Sequence, residues 1–228
     1  VSVITITHNQ EHFLENCIKG VISQNRGIIK EYLIADDCST DDTRSIIKKY
    51  YSEYPGLIIP IYRETNLGAL DNFYDVLMRC RGRYIVCIDG DDYWIDNYKL
   101  ERQVEFLEKN NQYSLAGTNY ILNCKEKNII SVGNIIEGQR ELTTADLIIS
   151  NIIAFQTAMF RRKLLNELPP IYKGEDGKLV LFFSSKGKIL LDTNSITTVH
   201  NSSVDGLASR NKTYKEKVNN LIVKLKKA

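Results

Sequence analysis

Hydrophobic residues recur with two different periods along the first 90 residues, and the two periods alternate. Val1 to Ile6 is a run of β-favouring side chains and predicts a strand. From about Asn9 the apolar positions Phe13, Leu14, Cys17, Ile18, Val21 and Ile22 fall on one helical face, which predicts a helix capped by Asn9. The pattern then repeats. Strand character returns at Tyr32–Ala35, helix character at Asp41–Tyr51 with Asp41 as its cap, and strand character at Leu57–Tyr62. A helix over Ala69–Arg79 leads into a strand that ends at Asp89. Each crossover is long enough to return the chain parallel, so the fold class is α/β, a Rossmann-like, mostly parallel sheet flanked by helices.

The second half is less regular. Helices are expected at Lys99–Lys109, Thr143–Ile149 and Asp176–Ser185. Strands are expected at Ser114–Leu122, Asn128–Val132, Ala158–Arg161 and, as one or two elements, Ile189–Val199. No repeat or Pro/Gly-rich linker divides the chain, so both halves are expected to share one sheet in a single domain over residues 1–210, followed by a separate basic helix over 211–228.

Composition narrows the class. With 228 residues, 43% of them hydrophobic, the chain can bury an ordinary core, and a formal charge of +2 gives no reason to expect nucleic acid. The positive charge is local: residues 212–228 hold six lysines and one glutamate, leaving the rest at about −3. Val218, Leu221, Ile222 and Leu225 recur at helical spacing among those lysines, a pattern that suits an anionic membrane surface or equally a stripe packed on the domain itself. The five cysteines (17, 38, 80, 87 and 124) form no CxxC pair, which points to a reducing, cytoplasmic setting. Apolar runs such as "YIVCI" and "LVLFF" fall far short of the roughly 18 residues of a bilayer span, and no leader pattern is seen. The sequence opens on Val1 inside a strand pattern, so residues are expected to precede it.

The strand ends carry the candidate chemistry. In an open α/β sheet, ligands bind beyond the carboxyl ends of the parallel strands. Here those ends read "THN" (Thr7, His8, Asn9), "DDCSTDDT" (Asp36, Asp37), "RETNLG" and "DGDD" (Asp89 to Asp92). One helix cap needs one side chain, which leaves Asp36 and Asp37 together unexplained. Asp89 and Asp91 are two positions apart and point the same way in extended backbone, with Gly90 keeping the space between them open. All-oxygen ligation suits a hard divalent ion, Mg²⁺ or Mn²⁺; the alternative is a solvated acidic turn capping a helix near Asn97. Neither GxGxxG nor GxxxxGK[ST] follows the first strand, so a nucleotide held here would be gripped by side chains and metal.

In order, "VSVITITHN", "IADDCSTDDT", "RETNLGALDNF", "CRGRYIVCIDGDDYW", "TAMFRRK", "EDGKLVLFFSSKGKI" and "TVHNSS" resemble the family 2 glycosyltransferases, inverting enzymes of GT-A fold, from Val1 to about Ser209. The resemblance implies a nucleotide-binding half over 1–95 and an acceptor-binding half over 96–210. It implies that Thr7 and Asp37 contact the nucleotide base with Asp36 beside it, that Asp89 reaches the ribose or metal-bound water, and that Asp91 coordinates the metal. Asp92 would face the sugar or orient its neighbour. Asp176 matches the general base, with Glu175 as the alternate, although both residues also suit the first turn of a helix. His200 matches a late histidine that completes the metal or diphosphate shell, or serves as a structural hydrogen-bonder. Trp94 would lie near the sugar or acceptor, or simply pack.

One departure stands out. Asp71 precedes Asn72 where many relatives carry Arg, so Asp71 must point away from a diphosphate or the nucleotide must sit differently. Arg161 and Arg162 offer positive charge, or form a solvated strand end. The resemblance further implies a UDP-linked donor, a glycan or lipid-linked acceptor, and a place in surface polysaccharide or glycolipid synthesis at the inner membrane face. Two rivals remain at this level. A phosphotransferase with Asp89 as nucleophile and Asp91 as acid also places DxD after an apolar strand, usually the first strand with a Thr following. A non-catalytic nucleotide- or glycan-binding module would keep the Asp37 and Asp91 contacts without a working base.

Overall fold

A computed structural model describes residues 1–124, 129–134, 138–149, 152–169 and 176–202. The predicted helix at 211–228 and the residue Glu175 lie outside the described residues. The chain alternates β1 (Ser2–Thr7), α1 (Leu14–Ile22), β2 (Glu31–Asp36), α2 (Thr43–Glu53), β3 (Ile58–Tyr62), α3 (Ala69–Arg79) and β4 (Tyr84–Asp89). It continues through β5 (Tyr93–Trp94), α4 (Lys99–Lys109), β6 (Tyr113–Cys124), β7 (Ile129–Val132), β8 (Gln139–Leu142), α5 (Thr144–Ile149), β9 (Met159–Arg161), α6 (Asp176–Lys186) and β10 (Lys188–Asn201).

One sheet takes in all of these strands, in the order β3-β2-β1-β4-β9-β6-β10-β5, with β7 on β6 and β8 on β10. The β1 to β4 portion is parallel, as the periodicity predicts. The second half is mixed: β9 runs antiparallel between β4 and β6, while β10 pairs parallel with β6. The period of two in each strand sends alternate residues to opposite cores. Val3, Tyr32, Ile34, Tyr84 and Val86 pack with Leu14, Ile18 and Val21 of α1, Ile47 of α2 and Leu100 of α4. Ile4, Leu33, Ala35, Ile85 and Cys87 pack on the other face with Phe73 and Leu77 of α3 and Phe182 and Phe183 of α6.

Three expectations need correction. The first helix starts at Leu14, because residues 10–13 form a turn in which Phe13 and Leu14 N–H both donate to Gln10 O. Asn9 therefore caps no helix; it sits at φ 52° and its Oδ1 accepts from Thr40 N at 2.8 Å. Arg161 is neither solvated nor near the strand ends that could hold a ligand: it is 5% exposed and pairs at the opposite end of β4, with Tyr84 as its register partner. There its guanidinium donates to the carbonyls of Leu107, Asn110 and Tyr113 and to Tyr84 Oη. Asp41 does serve the start of α2, its Oδ1 accepting from Thr43 N at 3.0 Å. All five cysteines are free thiols.

Candidate functional site

The carboxyl ends of β1, β2 and β4 meet at one edge, and hydrogen bonds from their side chains tie the following loops together. Asp37 accepts from Leu67 N and Gly68 N, both at 2.8 Å, which fastens the "TNLG" loop to the end of β2. Gly68 has φ 84°, a conformation that favours glycine, where the chain turns into α3. His8 Nδ1 lies 2.7 Å from Asp37 O, and Asn9 N donates to Ser39 Oγ. Asp36 is fully buried, accepting from Arg44 Nε at 2.5 Å and from Ser39 N, so this pair of aspartates frames the edge through its own hydrogen bonds. Asp71 is exposed in the first turn of α3, while Arg63 of the same loop is committed to Asn72 and Asp75.

At the end of β4 the "DGDD" turn closes with Asp92 N donating to Asp89 O at 3.0 Å. Carboxylate oxygens of Asp89, Asp91 and Asp92 lie within 4.8 Å of one another. Gly90 makes the close approach to β1 possible: a Cβ there would stand 2.3 Å from Gln10 Oε1 and 2.8 Å from Thr7 Oγ1. Those two oxygens are themselves buried and have no hydrogen-bond partner among the described residues. Asp92 is held from the far half of the chain. Its Oδ2 lies 2.9 Å from His200 Nδ1, its Oδ1 accepts from Asn201 N at 2.8 Å, and Asn201 Nδ2 donates to the backbone carbonyl of Asp91.

Behind this edge, between the sheet and α3, a cavity of about 340 Å³ is lined by apolar residues of β1, β4 and α3 and by three polar ones, Asp89, Gln156 and Asp176. Asp176, first residue of α6, thus meets Asp89 from 87 positions away in sequence. The Asp89 carboxyl is pushed well above the ordinary range, first by the protein packed around the cleft and then by repulsion from Asp92, Asp176 and Asp91; His200 opposes the shift. Mutually repelling carboxylates of this kind are what a bound cation would offset, and the donor set is carboxylate oxygen with one imidazole at its margin.

The structure places Trp94 differently from a sugar-stacking platform. It is 4% exposed, its Nε1 donates to Gln156 O at 3.2 Å, and its ring faces Lys99 Nζ at 4.6 Å inside the core. Two residues that the sequence reading missed belong to this setting. Lys99 is a charged residue on an otherwise ordinary amphipathic helix, and nothing in its spacing sets it apart. Gln156, with Thr157 beside it, interrupts the otherwise apolar run "IIAFQTAMF", a signal that could have been read.

A family model for glycosyl transferase family 2 matches residues 2–169. The chain belongs to that family. Among its relatives are an uncharacterized protein of Mycobacterium tuberculosis, 34% identical over 163 residues, which are 72% of this chain and 47% of that one. TuaG of Bacillus subtilis, named as a teichuronic acid biosynthesis glycosyltransferase, is 33% identical over 82% of this chain and 73% of its own. WfaP of Escherichia coli, named UDP-Glc:alpha-D-GlcNAc-diphosphoundecaprenol beta-1,3-glucosyltransferase, is 30% identical over 90% and 79%. The chain spans about half the length of the mycobacterial relatives. Among solved structures, Staphylococcus aureus TarS 1–349 in complex with UDP-GlcNAc superposes with TM-score 0.70 at 20% identity, covering 88% of this chain and 58% of that one. The mannosyltransferase PcManGT of Pyrobaculum calidifontis, in complex with GDP-Man and Mn²⁺, superposes at 0.64 and 16%, covering 87% and 56%. At these identities the likeness concerns the fold, which is of GT-A type.

Proposed function

We propose that this family 2 chain transfers one sugar, with inversion, from a UDP-linked donor to an acceptor hydroxyl, in surface polysaccharide or glycolipid synthesis at the cytoplasmic face of the membrane. The observation that carries the reading is that Asp89, of the Asp89–Asp91–Asp92 cluster at the end of β4, and Asp176, at the start of α6, line one cavity. The setting draws on the relatives: WfaP is named for a UDP-Glc donor and a diphosphoundecaprenol acceptor, TuaG for teichuronic acid, and TarS is held with UDP-GlcNAc. No helix among the described residues is long and apolar enough to cross a membrane. The lysine-rich segment 211–228 is the candidate for contact with the anionic surface on which a lipid-linked acceptor would lie.

Each residue then has a task. Asp91 would hold Mn²⁺ or Mg²⁺ with His200, whose ring is oriented through its Nδ1 contact to Asp92 and would offer its other nitrogen. When bound, that ion supplies Lewis-acid neutralisation of the departing diphosphate. Asp92, engaged by His200 and Asn201, positions the turn, and Asp89 would face the ribose or the ion's hydration shell. Thr7, with its unpartnered buried Oγ1, faces the nucleotide, while Asp36 and Asp37 build the wall of the base site. Asp176 takes the proton of the acceptor hydroxyl as that oxygen attacks the anomeric carbon and the bond to the diphosphate breaks. Glu175, next to it in sequence, is the alternate base. Trp94 serves from behind, by holding the Gln156 carbonyl.

Calorimetric titration of UDP, with and without Mn²⁺, into wild type and Asp91→Ala, with GDP as control, tests the reading. Metal-dependent UDP binding that disappears in Asp91→Ala supports it. Binding of neither nucleotide under any metal condition refutes it.

A further inference from the structure

The transferred sugar of an inverting reaction must lie between the leaving diphosphate and the base that activates the acceptor. In this chain Asp176, assigned as that base, and Asp89, whose neighbour Asp91 is assigned the ion on the diphosphate, line one cavity, and the third polar residue lining it is Gln156. Gln156 is 4% exposed, yet its Nε2 has no hydrogen-bond partner among the described residues. A buried, unsatisfied amide in a native protein calls for an explanation, and a ligand is one of the few available.

The backbone that carries this amide is tied in place. Its residue sits in a 3₁₀ turn, Phe155–Thr157, whose backbone is gripped on three sides. Trp94 Nε1 donates to Gln156 O, Gln103 Nε2 donates to Thr157 O at 2.9 Å, and Thr157 Oγ1 donates to Ala154 O at 2.7 Å. The Phe155 ring stacks on Phe160 and meets Phe73 edge-on, closing the cavity wall on the same side. A side chain carried on so rigid a turn, in a cavity whose other polar lining residues are the carboxylates Asp89 and Asp176, is placed to recognise one polar group.

We propose that the Gln156 side-chain amide hydrogen-bonds a hydroxyl or acetamido oxygen of the donor sugar and so selects which sugar is transferred. This inference rests on the glycosyltransferase reading above. A sugar hydroxyl or acetamido carbonyl offers the acceptor that the amide lacks, and the apolar walls from Phe73, Leu70 and Phe155 cannot supply discrimination between epimers.

The test is to measure, on the full chain with Mn²⁺, dissociation constants for UDP, UDP-glucose, UDP-galactose and UDP-N-acetylglucosamine in wild type, Gln156→Leu and the near-isosteric Gln156→Glu. The expected result is unchanged affinity for UDP in both variants, a loss of about 10- to 100-fold for the sugar nucleotide that wild type prefers, and a flattened order of preference. Unchanged sugar-nucleotide affinities and preferences in both variants overturn the proposal. So does an equal weakening of UDP and its sugars together with a lowered melting temperature, which would make Gln156 a structural residue. Failure of the reading beneath it looks different, since wild type itself would then bind no UDP.

Discussion

Lys99 offers the sharpest test of the physical account. Its side chain is completely buried, its Nζ donates to Gln103 Oε1 at 2.7 Å and lies over the Trp94 ring, and burial lowers its pKa from 10.5 to about 7 against the weaker opposing pull of Asp96. At 1.36 kcal/mol per pH unit, that fall corresponds to about 5 kcal/mol of penalty for the charged form in the folded state. Between pH 7 and 10.5 the unfolded chain binds a proton here that the folded chain does not, so stability must rise with pH across that window and lie at its lowest, from this group, below pH 7. Lys99→Met keeps the apolar stem and removes the charge, at a cost of about 1–3 kcal/mol for leaving Gln103 Oε1 without its donor. The variant should therefore be less stable than wild type above about pH 10, equal to it somewhere between about pH 8 and 10, and more stable at pH 7 and below. Urea unfolding of both proteins at pH 6, 7, 8, 9 and 10 reads the difference directly, because all other titrating groups are common to the two. Parallel curves, with a difference constant to within about 0.5 kcal/mol across the range, would refute the argument.

Other predictions follow from the same structure. Asp176→Asn should lower turnover by about 10²–10⁴-fold while leaving the dissociation constant for UDP unchanged, as steady-state kinetics and calorimetry together would show. Arg44→Ala strands the fully buried Asp36 carboxylate and should destabilise the chain by about 3–5 kcal/mol in denaturant titrations, with Arg44→Lys recovering part of the loss. Gly20→Ala would drive a Cβ to 2.8 Å from Trp94 O and 2.9 Å from Trp94 N, backbone atoms that cannot step aside, so a cost of about 1–3 kcal/mol in thermal unfolding is expected.

The first half of the chain was legible because its strands and helices each keep one period long enough to count, and because each of its parallel strands ends in a visible change from apolar to polar. The second half resisted for particular reasons. Tyr93–Trp94 makes a strand of two residues, too short for any period to register, and "QREL" of β8 takes its strand form from pairing with β10 rather than from its own side chains. The "DGDD" cluster, Asp176 and His200 were found from strand ends, a helix start and a resemblance, but their convergence depends on a mixed sheet that local pattern does not encode. Lys99 and Arg161 were invisible as core residues because composition treats lysine and arginine as surface. Arg161 is buried by carbonyls about 50 residues away in sequence, and Lys99 by Gln103 one turn along its own helix together with the Trp94 ring of β5.

The clasp of Asp92 by His200 and Asn201 spans 108 and 109 residues of chain. Such closure is expensive in chain entropy and cannot precede the docking of β10 along β6. The acidic turn is thus completed among the last events of folding. A nascent or partly unfolded chain would already have its first parallel strands while the carboxylates of that turn still lacked their brace. Recovery of metal-dependent nucleotide binding after dilution from denaturant should consequently lag behind recovery of helical circular dichroism, which makes ligand binding a clock for the final assembly of the sheet.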